Sequence, residues 1–118
     1  MTRDFWSETY ASERPQCLEL YTRARDCLAG GVGHDMRYSL PCPSYIRRAS
    51  GARMWDVDGN EYIDYGMGNG ALLLGHSPPE VLEAIHKALK DGYHFGQDHP
   101  LQVEWAALIQ EMIPSAQA

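Results

Sequence analysis

The stretch DYGMGNGALLLGH, residues 64–76, organises the chain around it. Its glycines permit positive φ angles and close approach of another backbone, and its leucines give the segment apolar side chains to bury. A flexible linker would not need those leucines. We therefore predict that residues 64–76 form the floor of a ligand site whose reactive groups lie elsewhere.

Composition limits the class of protein. The 118 residues fit one modest domain, and their formal charge of -6 comes with no basic stripe, which disfavours nucleic-acid binding. A mean hydropathy of -0.42 and an uncharged stretch (65–79) broken by glycines and prolines predict no membrane-spanning helix. The acidic N-terminus lacks the apolar core of a secretory signal, so we expect a cytoplasmic protein.

Residue types that bind metals are scattered. The three cysteines form no Cys-x-x-Cys pair, which predicts reduced structural thiols, and the five histidines show no ligand spacing. Residues 56–61, DVDGNE, resemble a calcium loop, but an EF-hand needs glycine at the sixth position, where Glu61 stands. We interpret this segment as a β-turn and predict no metal site.

The sequence of residues 1–44 predicts an arm, a helix and a loop. Residues 1–14 have no clean apolar period and are predicted to form an irregular N-terminal arm. Pro15 can begin a helix whose apolar positions recur at three- and four-residue steps until Gly30 and Gly31 end it. Residues 32–44 are aperiodic and carry Arg37 among apolar neighbours. Its planar guanidinium suits a carboxylate, although a surface arginine with a buried stem would look the same in sequence.

Residues 45–65 carry strand signals. Segments 45–49, 53–57 and 61–65 are separated by residues 50–51 and 58–60, which are good turn sequences. They predict a three-stranded antiparallel meander. In the last strand Tyr62 and Asp64 alternate with their neighbours, which predicts that one face packs and the other stays polar.

Two helices are predicted after the glycine-rich stretch. Ser77 is a candidate N-cap with Glu80 completing a capping box, and an apolar stripe follows. A last helix begins at Pro100 and ends before Pro114. Its predicted apolar face consists of Leu101, Trp105, Leu108 and Met112. The predicted fold class is α+β: a short helix, the meander, then two helices.

The glycines also allow a different hypothesis. Residues 66–71 match G-x-G-x-x-[GA] and follow a predicted strand, as a dinucleotide fingerprint does. That fingerprint needs a helix that begins at its glycines, whereas the predicted helix begins after Ser77. A close-packed loop is the preferred interpretation, and a dinucleotide-binding fragment is the alternative.

Several of these segments together resemble the N-terminal part of class III pyridoxal-phosphate aminotransferases. They are LAGGV (28–32) followed by Arg37, then GARMWDVDGNEYIDY (51–65) and LGHSPPEV (74–81). The order of the motifs is most similar to the glutamate-1-semialdehyde 2,1-aminomutase branch. The resemblance runs from about Pro15 to the end of the chain.

The resemblance implies a fold-type I, homodimeric enzyme in which pyridoxal phosphate acts on a small amino or keto acid through a lysine Schiff base. It implies that Arg37 holds the substrate carboxylate and that residues 92–99 lie near the dimer interface. Residues 15–118 would be the N-terminal segment of such an enzyme. The family's phosphate cup, ring-stacking aromatic, pyridine-nitrogen aspartate and catalytic lysine would follow Ala118. This chain alone is therefore expected to bind no cofactor and to contain no catalytic residue.

Two positions depart from the branch. Where the branch usually has a serine and a tryptophan that line the substrate pocket, this chain has His34 and Asn69. Both are substrate-binding candidates beside Arg37. The departures leave open an aminomutase and a transaminase that acts on another acid. The rival hypothesis is a self-standing, non-enzymatic module that binds another protein through the apolar face of its last helix.

Overall fold

A computed structural model describes residues 3–116. Four α-helices and one three-stranded sheet follow in the order α1, α2, β1, β2, β3, α3, α4, which confirms the α+β class. Their bounds are Arg3–Ser12, Pro15–Ala24, Ile46–Ser50, Arg53–Asp56, Glu61–Ile63, Pro79–Leu89 and Pro100–Met112. None of the helices within residues 3–116 combines the length and apolar character that a membrane span requires.

The N-terminal predictions need correction. The irregular arm predicted for residues 1–14 is wrong over Arg3–Ser12, because these residues form α1, which contacts α2. Residues 1 and 2 of that arm lie outside the described residues. Tyr10 of α1 packs against the core, so tertiary contacts stabilise a helix whose own pattern is weak. The chain divides into two compact units, Met1–Pro79 and Glu80–Ala118.

Helix α2 ends at Ala24, six residues earlier than the predicted stop at Gly30. The chain then turns back onto the helix, and a 3₁₀ turn spans Ala29–Gly31. A β-carbon on Gly31 would lie 2.7 Å from Cε2 of Tyr21, so glycine allows this close return.

The three strands form the predicted antiparallel meander. Ser50 pairs with Arg53 between β1 and β2, and Met54 pairs with Tyr62 between β2 and β3. The side of β3 that packs is the polar one: Tyr62 is half-buried, whereas Ile63 is 55% exposed. This arrangement is stable because the inner polar groups are hydrogen-bonded.

A small core lies in the unit Met1–Pro79. Cys17, Tyr21 and Cys42 are buried. Tyr10, Val32, Tyr45 and Val57 pack against them. All three cysteines are free, and burial raises the pKa of the Cys17 thiol to about 11. Cys17 and Cys42 are therefore core side chains in the thiol form, as predicted, and Cys27 is exposed.

The carboxylate of Asp56 accepts four hydrogen bonds in this unit. Its side chain is buried, and Oδ1 accepts hydrogen bonds from the backbone amides of Asp58 (3.0 Å) and Asn60 (2.8 Å). Oδ2 accepts from Asn60 Nδ2 at 2.9 Å and from the hydroxyl of Tyr62 at 2.7 Å. Arg14 Nε donates to the same hydroxyl at 3.0 Å, and its guanidinium lies 4.0 Å from the Tyr10 ring centroid. The network joins α1, α2 and the sheet.

The turn after Asp56 also caps helix α2. Asp58 Oδ1 accepts from the Gln16 amide at 2.8 Å, and Oδ2 accepts from the Cys17 amide at 2.9 Å. Arg14, the residue before the helix, makes no side-chain cap. A carboxylate from the sheet therefore satisfies the amides that the helix leaves open, which also favours its negative charge. The segment predicted as a β-turn is confirmed as one, with φ of 92° at Gly59.

The two late helices lie in the unit Glu80–Ala118, apart from Pro79. Helix α4 is confirmed at Pro100–Met112. Its cap is unexpected: His99 Nδ1 accepts from the Leu101 amide at 3.2 Å, and Gln102 Oε1 accepts from the His99 amide at 2.9 Å. The capping box predicted for Ser77 is wrong, because α3 begins at Pro79 and Ser77 has a left-handed φ of 56°.

We expect Tyr62→Phe to lower the free energy of unfolding of the unit Met1–Pro79 by about 1.5–3 kcal/mol, because it removes a hydrogen bond to a buried charge. Tyr65→Phe is the matched control, since Tyr65 is 91% exposed, and should change it by less than about 0.5 kcal/mol. Urea unfolding of both variants measures the difference. Equal effects of the two substitutions would show that the network does not hold the unit.

We also expect acidification to weaken this unit. Burial alone would raise the pKa of Asp56, but hydrogen bonds from Asn60 and Tyr62 hold that pKa below its ordinary value. The stabilisation is therefore complete above pH about 4 and is lost as pH falls through the lower folded pKa. The free energy of unfolding, measured from pH 6 to pH 3, should decrease, and Asp56→Asn should flatten the curve. A rise in stability on acidification would contradict this account.

Candidate functional site

Arg37 lies at the end of a 3₁₀ turn, Asp35–Arg37. Its side chain passes over Gly33: a β-carbon there would lie 3.7 Å from Nη1 of Arg37. The residue is exposed, and within residues 3–116 no carboxylate pairs with its guanidinium. The guanidinium therefore keeps its fork of donors available for an external anion.

A cleft of about 570 Å³ lies beside this arginine. It is built from residues 28–46, and apolar and small side chains dominate its wall. Among them are Leu28, Gly31, Val32, Tyr45 and Ile46. A carboxylate held here would have one charged partner in mostly apolar surroundings, which strengthens such a contact.

His34 precedes the same turn but is engaged locally. Its Nδ1 lies 2.7 Å from Oδ1 of Asp35, and that oxygen also accepts from the Met36 amide at 2.9 Å. The Met36 amide also donates to His34 Nδ1 at 3.2 Å, so this ring nitrogen is engaged within the turn. The cleft lining includes Arg37 and does not include His34.

Asn69 lies in what we call the glycine loop, residues 66–75. It is exposed and has a φ of 58°, a left-handed conformation that asparagine tolerates well. It does not line the Arg37 cleft either. The structure therefore places Arg37 and His34 on one turn, where the Arg37 amide donates to the His34 carbonyl at 3.0 Å, and only Arg37 lines the cleft. Asn69 lies on the glycine loop.

The glycine loop is a series of turns. Gly70 donates to the Gly66 carbonyl at 3.0 Å, Leu72 to Met67 at 3.0 Å, and Gly75 to Leu72 at 2.9 Å. No helix begins at these glycines, since the next helix in the described chain is α3 at Pro79. The geometry of a dinucleotide fingerprint is therefore missing, and that alternative is not supported.

Sequence reasoning missed the two side chains that close this loop. Asp64 Oδ1 accepts from the amides of Gly66 (2.8 Å) and Met67 (3.0 Å), and Asp64 Oδ2 lies 2.7 Å from His76 Nε2. The hydrogen bond to His76 and those from the loop amides hold the pKa of Asp64 below its ordinary value. An acid and a histidine at the two ends of a glycine-rich stretch were the available signal.

Cys17, Asp56 and Asp58 bring potential metal-ligand atoms within 4.8 Å of one another. The carboxylate oxygens already accept the hydrogen bonds described above, and the raised pKa of Cys17 keeps its thiol protonated. A metal ligand must instead be a thiolate. The cluster fits a structural network better than a cation site.

The unit Glu80–Ala118 has a cleft of its own, of about 1130 Å³, built from residues 84–102. The rings of Phe95 and His99 stack within it, with centroids 5.2 Å apart. The predicted apolar face of α4 is exposed: Leu101 and Leu108 are each 52% accessible and Trp105 is 67% accessible.

Comparison with known proteins assigns the chain to a class. The sequence profile of the family "Aminotransferase class-III" matches residues 36–117. Over 101 residues the chain is 45% identical to a glutamate-1-semialdehyde 2,1-aminomutase of Acetivibrio thermocellus, covering 83% of this chain and 24% of that protein. The chain belongs to the class III aminotransferase family, and it spans about a quarter of the length of the curated relatives it matches.

Solved structures agree with this fold. A β-phenylalanine aminotransferase from Variovorax paradoxus superposes with a TM-score of 0.85 at 27% identity, over 92% of this chain and 25% of that chain. A transaminase with PLP bound has a TM-score of 0.78 at 40% identity, over 82% of this chain and 23% of that chain. The α+β unit predicted from sequence is therefore the N-terminal part of this fold.

The residues of this chain do not by themselves fit pyridoxal phosphate. The cofactor requires a lysine for its Schiff base and partners for its phosphate and its ring nitrogen. Lys87 and Lys90 are the only lysines, and both are exposed near the end of α3. A lysine that forms a Schiff base is usually desolvated in a pocket. These residues alone therefore supply no chemical step on the cofactor.

Gly75 lies where a β-carbon would come very close to the neighbouring backbone. It has φ of 83°, and a β-carbon there would lie 3.0 Å from the Gly51 carbonyl oxygen. Gly70 has φ of 86° with nothing within 4 Å of that position. A substitution at Gly70 therefore tests the cost of the positive φ alone, whereas one at Gly75 tests that cost together with a steric clash.

We expect Gly70→Ala to lower the free energy of unfolding by about 1–2 kcal/mol, because alanine is strained in a left-handed conformation. Gly75→Ala should cost about 1–3 kcal/mol more, because the Gly51 backbone must also move. Urea unfolding of the two variants tests the difference. Equal costs would mean that the loop yields freely at Gly75.

Proposed function

We propose that this chain forms a substrate-binding wall of a pyridoxal-phosphate-dependent aminotransferase or aminomutase that acts on a small amino or keto acid. The observation that carries the proposal is Arg37: an exposed guanidinium without a carboxylate partner among residues 3–116, beside a largely apolar cleft. A planar fork in such surroundings recognises a carboxylate by two parallel hydrogen bonds.

The role of the chain is to bind and orient, while the rest of the enzyme supplies the cofactor. When bound, pyridoxal phosphate supplies the electron sink for amino transfer. Arg37 would fix one end of the substrate, and the apolar wall with Val32 and Ile46 would exclude water from that contact. Holding a substrate in one orientation lowers the entropic part of the barrier.

His34 and Asn69 are the proposed determinants of which acid is bound. In the resembling aminomutase branch these positions usually carry a serine and a tryptophan. The left-handed φ of 58° at Asn69 suits asparagine better than a bulky aromatic residue. We therefore favour an amino or keto acid other than glutamate-1-semialdehyde, with transamination as the reaction. We further propose that the complete enzyme is a cytoplasmic homodimer.

The test requires an enzyme that contains this segment. We would replace the matched segment of the Acetivibrio thermocellus aminomutase with this chain and confirm assembly by the absorbance of bound cofactor. Arg37→Ala should then lower kcat/KM for an amino acid by at least about tenfold, because a charge-assisted hydrogen bond is lost. The matching amine without a carboxylate should be unaffected.

Arg23→Ala is the matched control, since Arg23 is an exposed arginine on α2, outside the Arg37 cleft. Arg23→Ala should leave kcat/KM unchanged for both the amino acid and the amine. Equal losses on the amino acid and on the amine in Arg37→Ala would contradict carboxylate binding. Unchanged kinetics would make Arg37 an ordinary surface arginine.

A further inference from the structure

The glycine loop is held in an unfavourable backbone conformation. Two of its non-glycine residues have left-handed φ angles, Met67 at 42° and Asn69 at 58°, and Ser77 just beyond it has 56°. Left-handed backbone is unfavourable for most residues with a β-carbon, such as Met67 and Ser77, and less so for asparagine. Such strain persists only where the surroundings fix it, and it concentrates at functional sites.

The Asp64–His76 pair meets this requirement at the ends of the loop. The side chains of His76 and Asp64 are only 20% and 10% exposed. Asp64 receives the amides of Gly66 and Met67 on one oxygen and His76 Nε2 on the other. One carboxylate therefore binds both the first residues of the loop and the residue that follows it.

The backbone of His76 anchors the far end to the sheet. Its amide donates to the Gly51 carbonyl at 2.8 Å, and its carbonyl accepts from the Gly51 amide at 2.9 Å. Asp64 is fixed in the same way, because its amide donates to the Ala52 carbonyl at 2.9 Å. The two side chains thus join backbone positions that the β1–β2 turn already holds, which leaves the loop little freedom to relax.

We propose that Asp64 and His76 are positioning residues that hold the glycine loop in its strained form and so present Asn69 to the substrate. The holding of the loop follows from these contacts alone. That Asn69 faces substrate rests on the proposed function, so the experiment measures the loop without any substrate.

The experiment compares His76→Ala with His76→Gln in the 118-residue chain by amide hydrogen exchange and chemical shifts. Alanine removes the donor to Asp64, whereas the glutamine amide can reach the same oxygen. The reporters are the loop amides of Gly70 and Leu72, and the control is the Val57 amide, which donates to Tyr45 at 2.9 Å outside the loop.

In His76→Ala the Gly70 and Leu72 amides should exchange at least about tenfold faster, while His76→Gln should stay within about threefold of the wild type. The Asn69 shifts, which report its left-handed φ, should move toward random-coil values in the alanine variant and recover in the glutamine variant. Val57 should be unchanged in both.

Three results would overturn the proposal. The first is that the loop amides exchange without protection in the wild type. The second is that His76→Ala lowers the protection of Val57 as much as that of the loop amides, and the third is that His76→Gln does not restore the protection of the loop amides. The Arg37 kinetics are independent of these measurements. A failure of carboxylate binding would therefore remove the proposed function and leave the role of the pair in holding the loop intact.

Discussion

The unit Met1–Pro79, the N-terminal unit, depends on the hydrogen bonds that the buried carboxylate of Asp56 accepts. A charge in an interior is costly unless donors surround it, and here two amides, a carboxamide and a phenol do so. The same turn delivers Asp58 to the open amides of α2. The helix, in turn, supports the close return of Gly31, which leads into the Arg37 cleft. Polar contacts thus stabilise this unit, because its core contains few buried side chains.

The glycine loop shows how such a unit can keep a precise surface. Its ends are tied to the β1–β2 turn by backbone hydrogen bonds and by one acid and one histidine, and its middle is shaped by glycines. Because Gly75 approaches Gly51 closely, a β-carbon at Gly75 would lie 3.0 Å from the Gly51 carbonyl oxygen. Conformational freedom is therefore limited at the ends and not by burial of the leucines, since Leu73 is 92% exposed. The prediction that the loop buries its leucines is therefore wrong for Leu73 and for Leu74, which is 75% exposed.

Local patterns were sufficient for elements with strong local signals. Turn residues were sufficient to predict the meander, and prolines were sufficient to predict where α4 begins and ends. Spaced motifs identified the family. Contacts between distant residues were the part that could not be predicted. They are the packing of Tyr10, a residue of α1, against the core, the capping of α2 by Asp58, which lies 41 residues after Cys17, and the hydrogen bond between Asp64 and His76. His99 was missed as a cap because histidine is rare there. For the site, sequence and resemblance selected Arg37, whereas its separation from Asn69 needed the fold.

The two late helices have a consequence for how this chain melts. Neither α3 nor α4 contains a buried residue, and they are 11 and 13 residues long, near the lower limit for helices that persist in water. Heating should give a sharp heat-absorption peak from the N-terminal unit on top of a broad helix–coil transition. The calorimetric enthalpy would then exceed the van't Hoff enthalpy, so one melting temperature would describe the N-terminal unit and not the whole chain.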